Sequence, residues 1–294
     1  MAKQDPHGGK PVDAVTGTET TGHEWDGIRE LNTPMPLWWL YTFYATVVFA
    51  AIYCLLYPAV PLVSAATSGL LGYASRAEVE AEIATVDAGN SAATERVASA
   101  SFDEIRADPE LAHFALKGGA SVFRTNCSTC HGAGGAGSMG YPNLVDDDWI
   151  WGGDMEAIAT TVRHGINASD PDSRYAEMPA FGDMEMLDDE QILAVAEQVR
   201  AMAGLEHDAT LAAAGEGIFL EQCSACHGEA GEGMIDLGAP TLTDAIWLYG
   251  GDRASLVQTI THGRGGMMPA WNEILTEAEI KKVAIYVHSF GGGE

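Results

Sequence analysis

The most regular feature along the chain is an apolar run with no charge in it. Leu37 to Tyr57, LWWLYTFYATVVFAAIYCLLY, is 21 residues long, the length at which a helix crosses the hydrocarbon core of a bilayer. Trp38, Trp39 and Tyr41 at one end, with Tyr53 and Tyr57 at the other, fit the two aromatic belts of such a span. Pro58 and Pro61 stop the helix. A cleaved signal peptide fits poorly, because the run is long, starts late and has no basic segment directly before it. Residues 1–36 are polar and interrupted by Pro6, Pro11, Pro34 and Pro36, and residues 1 to about 20 read as disordered. Trp25, Ile28 and Leu31 fall at helical spacing, which suggests a short docked segment. Residues 58–108 mix small and acidic side chains. They read as a linker with some helix, laid over another surface rather than forming a core of its own.

From about residue 109 the pattern repeats. One copy runs over 109–205 and the other over 210–294. Pro142-Asn143-Leu144 matches Pro240-Thr241-Leu242, and Trp149 to Asp154 matches Trp247 to Asp252. His164-Gly165 matches His262-Gly263, and Met178-Pro179-Ala180-Phe181 matches Met268-Pro269-Ala270-Trp271. The first copy carries eight extra residues between its His-Gly and its Met-Pro. A repeated unit of this kind implies duplication and two similar domains. Each copy reads as helices joined by Gly-rich loops. Asp154 and Asp252 are N-cap candidates. Asp188 with Gln191, and Thr276 with Glu279, have capping-box spacing. Ile192, Val195 and Val199, like Ile280, Val283 and Val287, then recur at helical spacing.

Composition narrows the partners. The formal net charge is −27, which disfavours nucleic acid. Residues 1–36 carry −3, residues 37–75 nothing, and the rest −24. Such a surface can steer a basic protein partner or simply keep the domains soluble. Four of the five cysteines fall in two short motifs, Cys127-Ser128-Thr129-Cys130-His131 and Cys223-Ser224-Ala225-Cys226-His227. Cys54 lies in the apolar run, where a free thiol behaves as a small hydrophobe. C-x-x-C-H is the attachment signature of a c-type haem: two thiols on one helical turn bond the porphyrin vinyl groups, and the histidine is held beneath the iron. A zinc site needs four converging ligands, and a redox dithiol needs a βαβ setting; neither is visible. The expectation is two covalently bound haem c groups, attached through Cys127 and Cys130 and through Cys223 and Cys226, with His131 and His227 as axial ligands. The fold class expected is mainly α: one N-terminal transmembrane helix followed by two tandem class I-type cytochrome c domains. Haem attachment of this type is completed outside the cytoplasm. That orients the haem domains to the periplasm of a bacterial inner-membrane protein, with the N-terminus in the cytoplasm.

A thioether opposite the histidine raises the haem potential and favours outer-sphere transfer. Met178 and Met268 stand 51 and 45 residues after Cys127 and Cys223, each before Pro-Ala-aromatic and before the last helix of its copy. Pairing within each copy gives Met178 to the first haem and Met268 to the second. Met267 is the rival for the second position, and Met184 and Met186 are rivals for the first. His164 and His262 are alternative distal ligands, but each sits at a helix end before glycine, where histidine caps carbonyls or lies at a haem edge. A carbonyl at Pro142 or Pro240 can accept the Nδ1–H of the ligand histidine and fix its tautomer. Asp146-Asp147-Asp148 reads as a solvated loop rather than a cation site.

The sequence resembles the CcoP (FixP) family, the di-haem subunit of cbb3-type cytochrome c oxidase. The matching stretches are H-E-W-D-G-I-R-E-L at 23–31, W-W at 38–39, F-R-T-N-C-S-T-C-H-G at 123–132, G-A-P-T-L-T-D-A-I-W-L-Y-G-G at 238–251, G-R-G-G-M-M-P-A-W at 263–271 and V-A-I-Y-V-H-S at 283–289. The resemblance covers nearly all of the chain from about residue 20. It implies a subunit, itself without an oxygen-reducing centre, that takes electrons from a donor cytochrome c or a quinol–cytochrome c reductase. The subunit then passes them to the mono-haem subunit and on to the haem–copper catalytic subunit of a proton-pumping oxidase.

Overall fold

A computed structural model describes residues 10–291, and the chain divides into two units, Met1–Ala88 and Gly89–Glu294.

In the first unit the expected docked segment is a β-hairpin. β1 (Thr20–Trp25) pairs antiparallel with β2 (Ile28–Leu31), with Glu24 opposite Arg29 and Trp25 opposite Ile28. The turn is Asp26-Gly27, both at positive φ (51° and 85°), the primed turn that an Asp-Gly pair favours. The i, i+3 spacing of Trp25, Ile28 and Leu31 is incidental to a period-2 ribbon on which all three side chains are exposed. The stretch expected to be disordered is described only from residue 10. Over 10–19 it forms a turn closed by a Val12–Glu19 bridge, while residues 1–9 lie outside the described residues. α1 (Leu37–Leu56) is long and apolar enough to cross a membrane, and none of its side chains is buried. Its last carbonyls are satisfied by the returning chain: Leu70 N–H donates to Leu55 O at 2.9 Å and Leu71 N–H to Leu56 O at 3.1 Å. Gly69, at φ +67°, makes that approach possible, since a Cβ there would collide with the Leu56 carbonyl.

The helix α2 spans Ser75–Ser99. In the second unit its final turns, α3 (Phe102–Ala107) and α4 (Pro109–Val122) follow one another closely. α3 starts on a Ser101/Glu104 capping box, and α4 on Asp108 with Pro109 in its first turn. α5 (Ser128–His131), α6 (Met155–His164) and α7 (Asp189–Met202) complete the first copy. α8 (Ala209–Gln222), α9 (Ser224–His227), α10 (Arg253–His262) and α11 (Glu277–His288) form the second. The expected caps are present: Asp154 and Asp252 accept from N3 amides, and both capping boxes close.

The cores do not follow the copies. The first buries Val97, Phe102, Ile105, Leu111 and Phe123 together with Ile158 and Val162 of α6 and Ile280, Val283 and Val287 of α11. The second buries Ile192, Val195 and Val199 of α7 with Phe219 of α8 and Leu256 and Ile260 of α10. The C-terminal helices are therefore exchanged: α11 lies on α4 and α6, and α7 on α8 and α10. The boundary expected at residue 109 also falls inside the first core, which reaches back to Ala93 and Val97. The two crossings repeat one device. Gly119 of α4 touches the backbone of Lys282 in α11, and Gly215 of α8 touches that of Ala194 in α7; a Cβ on either glycine would strike the facing carbonyl oxygen. Lys282 lays its stem along Gly118 and holds its Nζ 4.4 Å over the Phe114 ring. Lys281 Nζ donates to the Ala98 and Ala100 carbonyls at 2.9 and 2.7 Å. Glu197, fully buried on α7, accepts from Arg253 of α10 and, at 2.6 Å, from the Asp208 amide that starts α8.

Replacing Gly119 or Gly215 by alanine is expected to force its helix pair apart and destabilise its core by about 1–3 kcal/mol. Thermal melts followed at the haem absorption should show the loss for both variants, whereas Gly134→Ala, whose position is open, should melt like the parent.

Candidate haem sites

The first C-x-x-C-H is presented by α4 through a π-helical turn, Phe123–Cys127, that leads into α5. Such one-turn insertions re-aim the residues that follow them. The second is presented directly by the end of α8, with Cys223 as its C-cap. Beyond this difference the two loops are built alike. Gly137 N–H donates to His131 O and Gly233 N–H to His227 O, both at 2.8 Å; Leu144 N–H donates to Gly135 O and Leu242 N–H to Gly231 O, both at 2.7 Å.

The carbonyl expected behind each ligand histidine is present. His131 Nδ1 lies 3.0 Å from Pro142 O, and His227 Nδ1 lies 2.9 Å from Pro240 O. A carbonyl only accepts, so Nδ1 carries the proton in both, and Nε2 is left bare as a metal ligand. Burial pushes both imidazole pKa values below the ordinary value, with the carbonyl opposing, so the neutral ligand form is favoured. Burial, and secondarily the neighbouring cysteine, pushes the Cys127 thiol up to about 11, and the Cys223 thiol likewise. A redox dithiol needs the opposite shift, toward thiolate. Among the described residues the grouping of three His, Cys or carboxylate side chains able to hold a metal is His164, Asp170 and Asp172, which includes no residue of either motif.

The methionines cross over with the helices. Met268 packs on the core that contains Cys127, and Met178 on the core that contains Cys223. This packing departs from the pairing of Met178 with the first site and Met268 with the second: each methionine is carried to the core of the opposite motif by the segment that bears its exchanged helix. The two crossing segments run side by side. Ile166 and Met268 exchange N–H···O bonds of 2.9 Å in both directions, and Met178 and Arg264 bonds of 2.8 and 3.1 Å. Past the crossing, each segment satisfies the end of the other copy's helix. Phe181 N–H donates to Ile260 O and Gly182 N–H to Thr261 O, on α10; Trp271 N–H donates to Val162 O and Asn272 N–H to Arg163 O, on α6. Met267 is 69% exposed, and Met184 and Met186 are also exposed, so none of the three rivals is placed on a core. His164 and His262 pair with carboxylates instead, Asp170 at 3.0 Å and Asp183 at 2.8 Å.

The sites also contain residues that the sequence reading passed over. Counting back four from each methionine gives an arginine, Arg174 and Arg264. The eight-residue insertion hid the match. Arg174 lies 5.0 Å over the Trp151 ring and Arg264 lies 4.3 Å over the Tyr249 ring, and these aromatic positions correspond in the two copies. Two buried donors, Arg174 Nε and Trp247 Nε1, have no hydrogen-bond partner among the described residues. Unpaired buried N–H groups are costly, and an acceptor brought to each donor removes the cost. Paired thiols, a bare imidazole Nε2, a thioether at each core and these unpartnered donors fit a haem c, which would bring anionic propionates to them.

Between the copies, Gly140 N–H donates to Leu248 O at 2.9 Å. A cavity of about 510 Å³ beside this contact is lined by Pro142, Asn143, Asp146, Asp148, Trp247 and Leu248. Burial first, then Asp244 and Asp146, pushes the Asp148 carboxyl up to about 6.

Residues 17–64 match the N-terminal domain of cytochrome oxidase-cbb3, FixP, and residues 114–197 and 210–287 each match cytochrome C oxidase, cbb3-type, subunit III. The chain is 55% identical over 276 residues to the cbb3-type cytochrome c oxidase subunit CcoP of Cereibacter sphaeroides, covering 94% of this chain and 95% of that one. It is 49% identical to the subunit FixP of a Bradyrhizobium species, covering 96% and 98%, and 46% identical to the subunit CcoP of an Azospirillum species, covering 96% and 98%.

A carboxyl pKa raised on folding adds stability that is complete below the unfolded value near 4 and is lost as pH rises through about 6. Asp148→Asn should therefore match the parent at pH 4 and exceed it at pH 7. Asp148 is half-buried, so solvent screening holds the gain to about 1 kcal/mol. Denaturant melts at the two pH values check this.

Proposed function

Because the chain belongs to the CcoP/FixP family of cbb3-type cytochrome c oxidase subunits, an electron-transfer component of that oxidase, we propose that it is the subunit through which electrons enter. In this reading it accepts them from a donor cytochrome c or a quinol–cytochrome c reductase. It passes them toward the mono-haem subunit and the haem–copper subunit, where oxygen is reduced with proton pumping. α1 anchors it in the bacterial inner membrane with the N-terminus in the cytoplasm and both haem cores in the periplasm. The acidic surface of the cores steers a basic donor.

The residues divide the work as follows. Cys127 and Cys130 attach one haem c, and Cys223 and Cys226 the other. When bound, each haem supplies a one-electron iron couple. His131 and Met268 would hold the iron of the first, and His227 and Met178 that of the second. The Pro142 and Pro240 carbonyls hold the imidazole protons at Nδ1 and so raise ligand basicity. Arg174 would offer a positive charge, and Trp247 an N–H donor, to the propionates. The apolar walls exclude water, which together with the thioether keeps the potentials high. The observation that carries the reading is that a methionine and the first cysteine of a motif with a carbonyl-fixed histidine pack on each of two cores.

Two measurements test it. Affinity purification of the chain from gently solubilised native membranes should bring down b-type as well as c-type haem, with cyanide-sensitive oxygen uptake. Two c-type haems with no partner and no oxygen uptake would favour a free-standing membrane-anchored carrier. The ligand assignment is tested in a chain carrying Cys127→Ala and Cys130→Ala, which keeps only the haem at Cys223. There Met178→Ala should abolish the methionine-to-iron charge-transfer band and lower the potential by on the order of 100 mV. Met268→Ala should leave both unchanged, and the reverse result would restore pairing within each copy.

A further inference from the structure

α2 carries a heptad seam that the haem cores use only in part. Val79, Ile83, Val86, Asn90, Ala93 and Val97 recur at alternating spacings of four and three residues, so they fall on one stripe of the helix. The C-terminal end of the stripe is occupied: Val97 is completely buried and Ala93 packs beside it. The N-terminal end is not, since Val79, Ile83 and Val86 are 52%, 54% and 60% exposed. β-branched residues lose side-chain freedom in a helix and add little as solvated positions. The facing side of the helix has alanine at 77, 81 and 84 instead. The positions flanking the open part of the seam are Glu80, Glu82 and Asp87, all acidic. In a heptad pair these are the e and g positions, which choose the partner.

This charge pattern rejects two occupants. A second copy of the same helix would set Glu82 against Asp87 in parallel pairing, and like against like in antiparallel pairing. An anionic membrane surface would be repelled by the same carboxylates. We propose that Val79, Ile83 and Val86 form the seam of a two-helix contact with another subunit of the oxidase, made by a partner helix with an apolar stripe flanked by lysine or arginine. Asn90, a polar residue at a core position of the seam, fixes the register of that contact. The inference rests on the chain's place as an oxidase subunit.

The test places a photoreactive phenylalanine analogue at Val79, Ile83 or Val86, and at Ala81 or Ala84 as opposite-face controls, in the full chain within the purified oxidase. The seam positions should crosslink to one oxidase subunit, at a helical segment bearing basic flanks, and the controls should not. Separately, Glu80→Lys, Glu82→Lys and Asp87→Lys together should lower retention of the chain on the complex by about tenfold or more at low salt, with haem content unchanged and the loss shrinking as salt rises. Crosslinks to lipid, to a second copy of the chain or to nothing, in a complex that is intact and consumes oxygen, would overturn the seam and leave the subunit assignment standing. A parent preparation that contains no other oxidase subunit would overturn both.

Discussion

The backbone contact between an N-terminal helix and the C-terminal helix of the other copy is the constraint on which the haem cores depend. Gly119 against Lys282 and Gly215 against Ala194 bring α4 to α11 and α8 to α7 so closely that no side chain fits between them. Everything downstream follows from which helix fills which crossing. Each exchanged helix brings its own preceding segment, and with it a methionine. That segment then closes the open carbonyl end of the helix it reaches, α10 in one case and α6 in the other. Removing one exchanged segment would therefore strip a core of its apolar closure, its methionine and a helix cap together.

This coupling bears on electron transfer. Two cytochrome domains joined only by a linker would move relative to one another. Here the polypeptide passes from one core to the other and back, and the two passages are hydrogen-bonded side by side at Ile166–Met268 and Met178–Arg264. The contact of Arg253 with the buried Glu197 and the Arg163–Glu277 ion pair each join an exchanged helix to its host core. The two candidate haem sites thus lie on one folded body, held together by the crossing rather than by a tether.

Much of this was legible in the sequence, and the failures have physical reasons. The apolar run, both haem motifs, the helix caps and the proline carbonyls could be read because each is a local rule satisfied within a few residues. The hairpin at residues 20–31 was missed because spacing outweighed turn chemistry, although Asp26-Gly27 is a strong hairpin signal. The exchange was missed because duplication makes it degenerate. α7 and α11 have the same apolar period, so either fits either core by pattern alone. The distinguishing signal is the short link Ala203–Asp208 between α7 and α8, since a connection of that length makes its two helices antiparallel neighbours. Once α7 is held by α8, only α11 remains for α4. The arginines four residues before each methionine were hidden by the insertion at 166–173, which displaces the alignment between His164 and Met178.

The exchange itself can be tested without reference to spectra or partners. A specific protease site placed at Gly204–Glu206, in the link between α7 and α8, divides the chain into two pieces with one haem motif each. If the helices are exchanged, the cut chain should remain a single species carrying both haems on native size exclusion in detergent, and should separate only under denaturing conditions. If each copy closes its own core, cutting this link should release a mono-haem C-terminal fragment under native conditions, and that result would contradict the account.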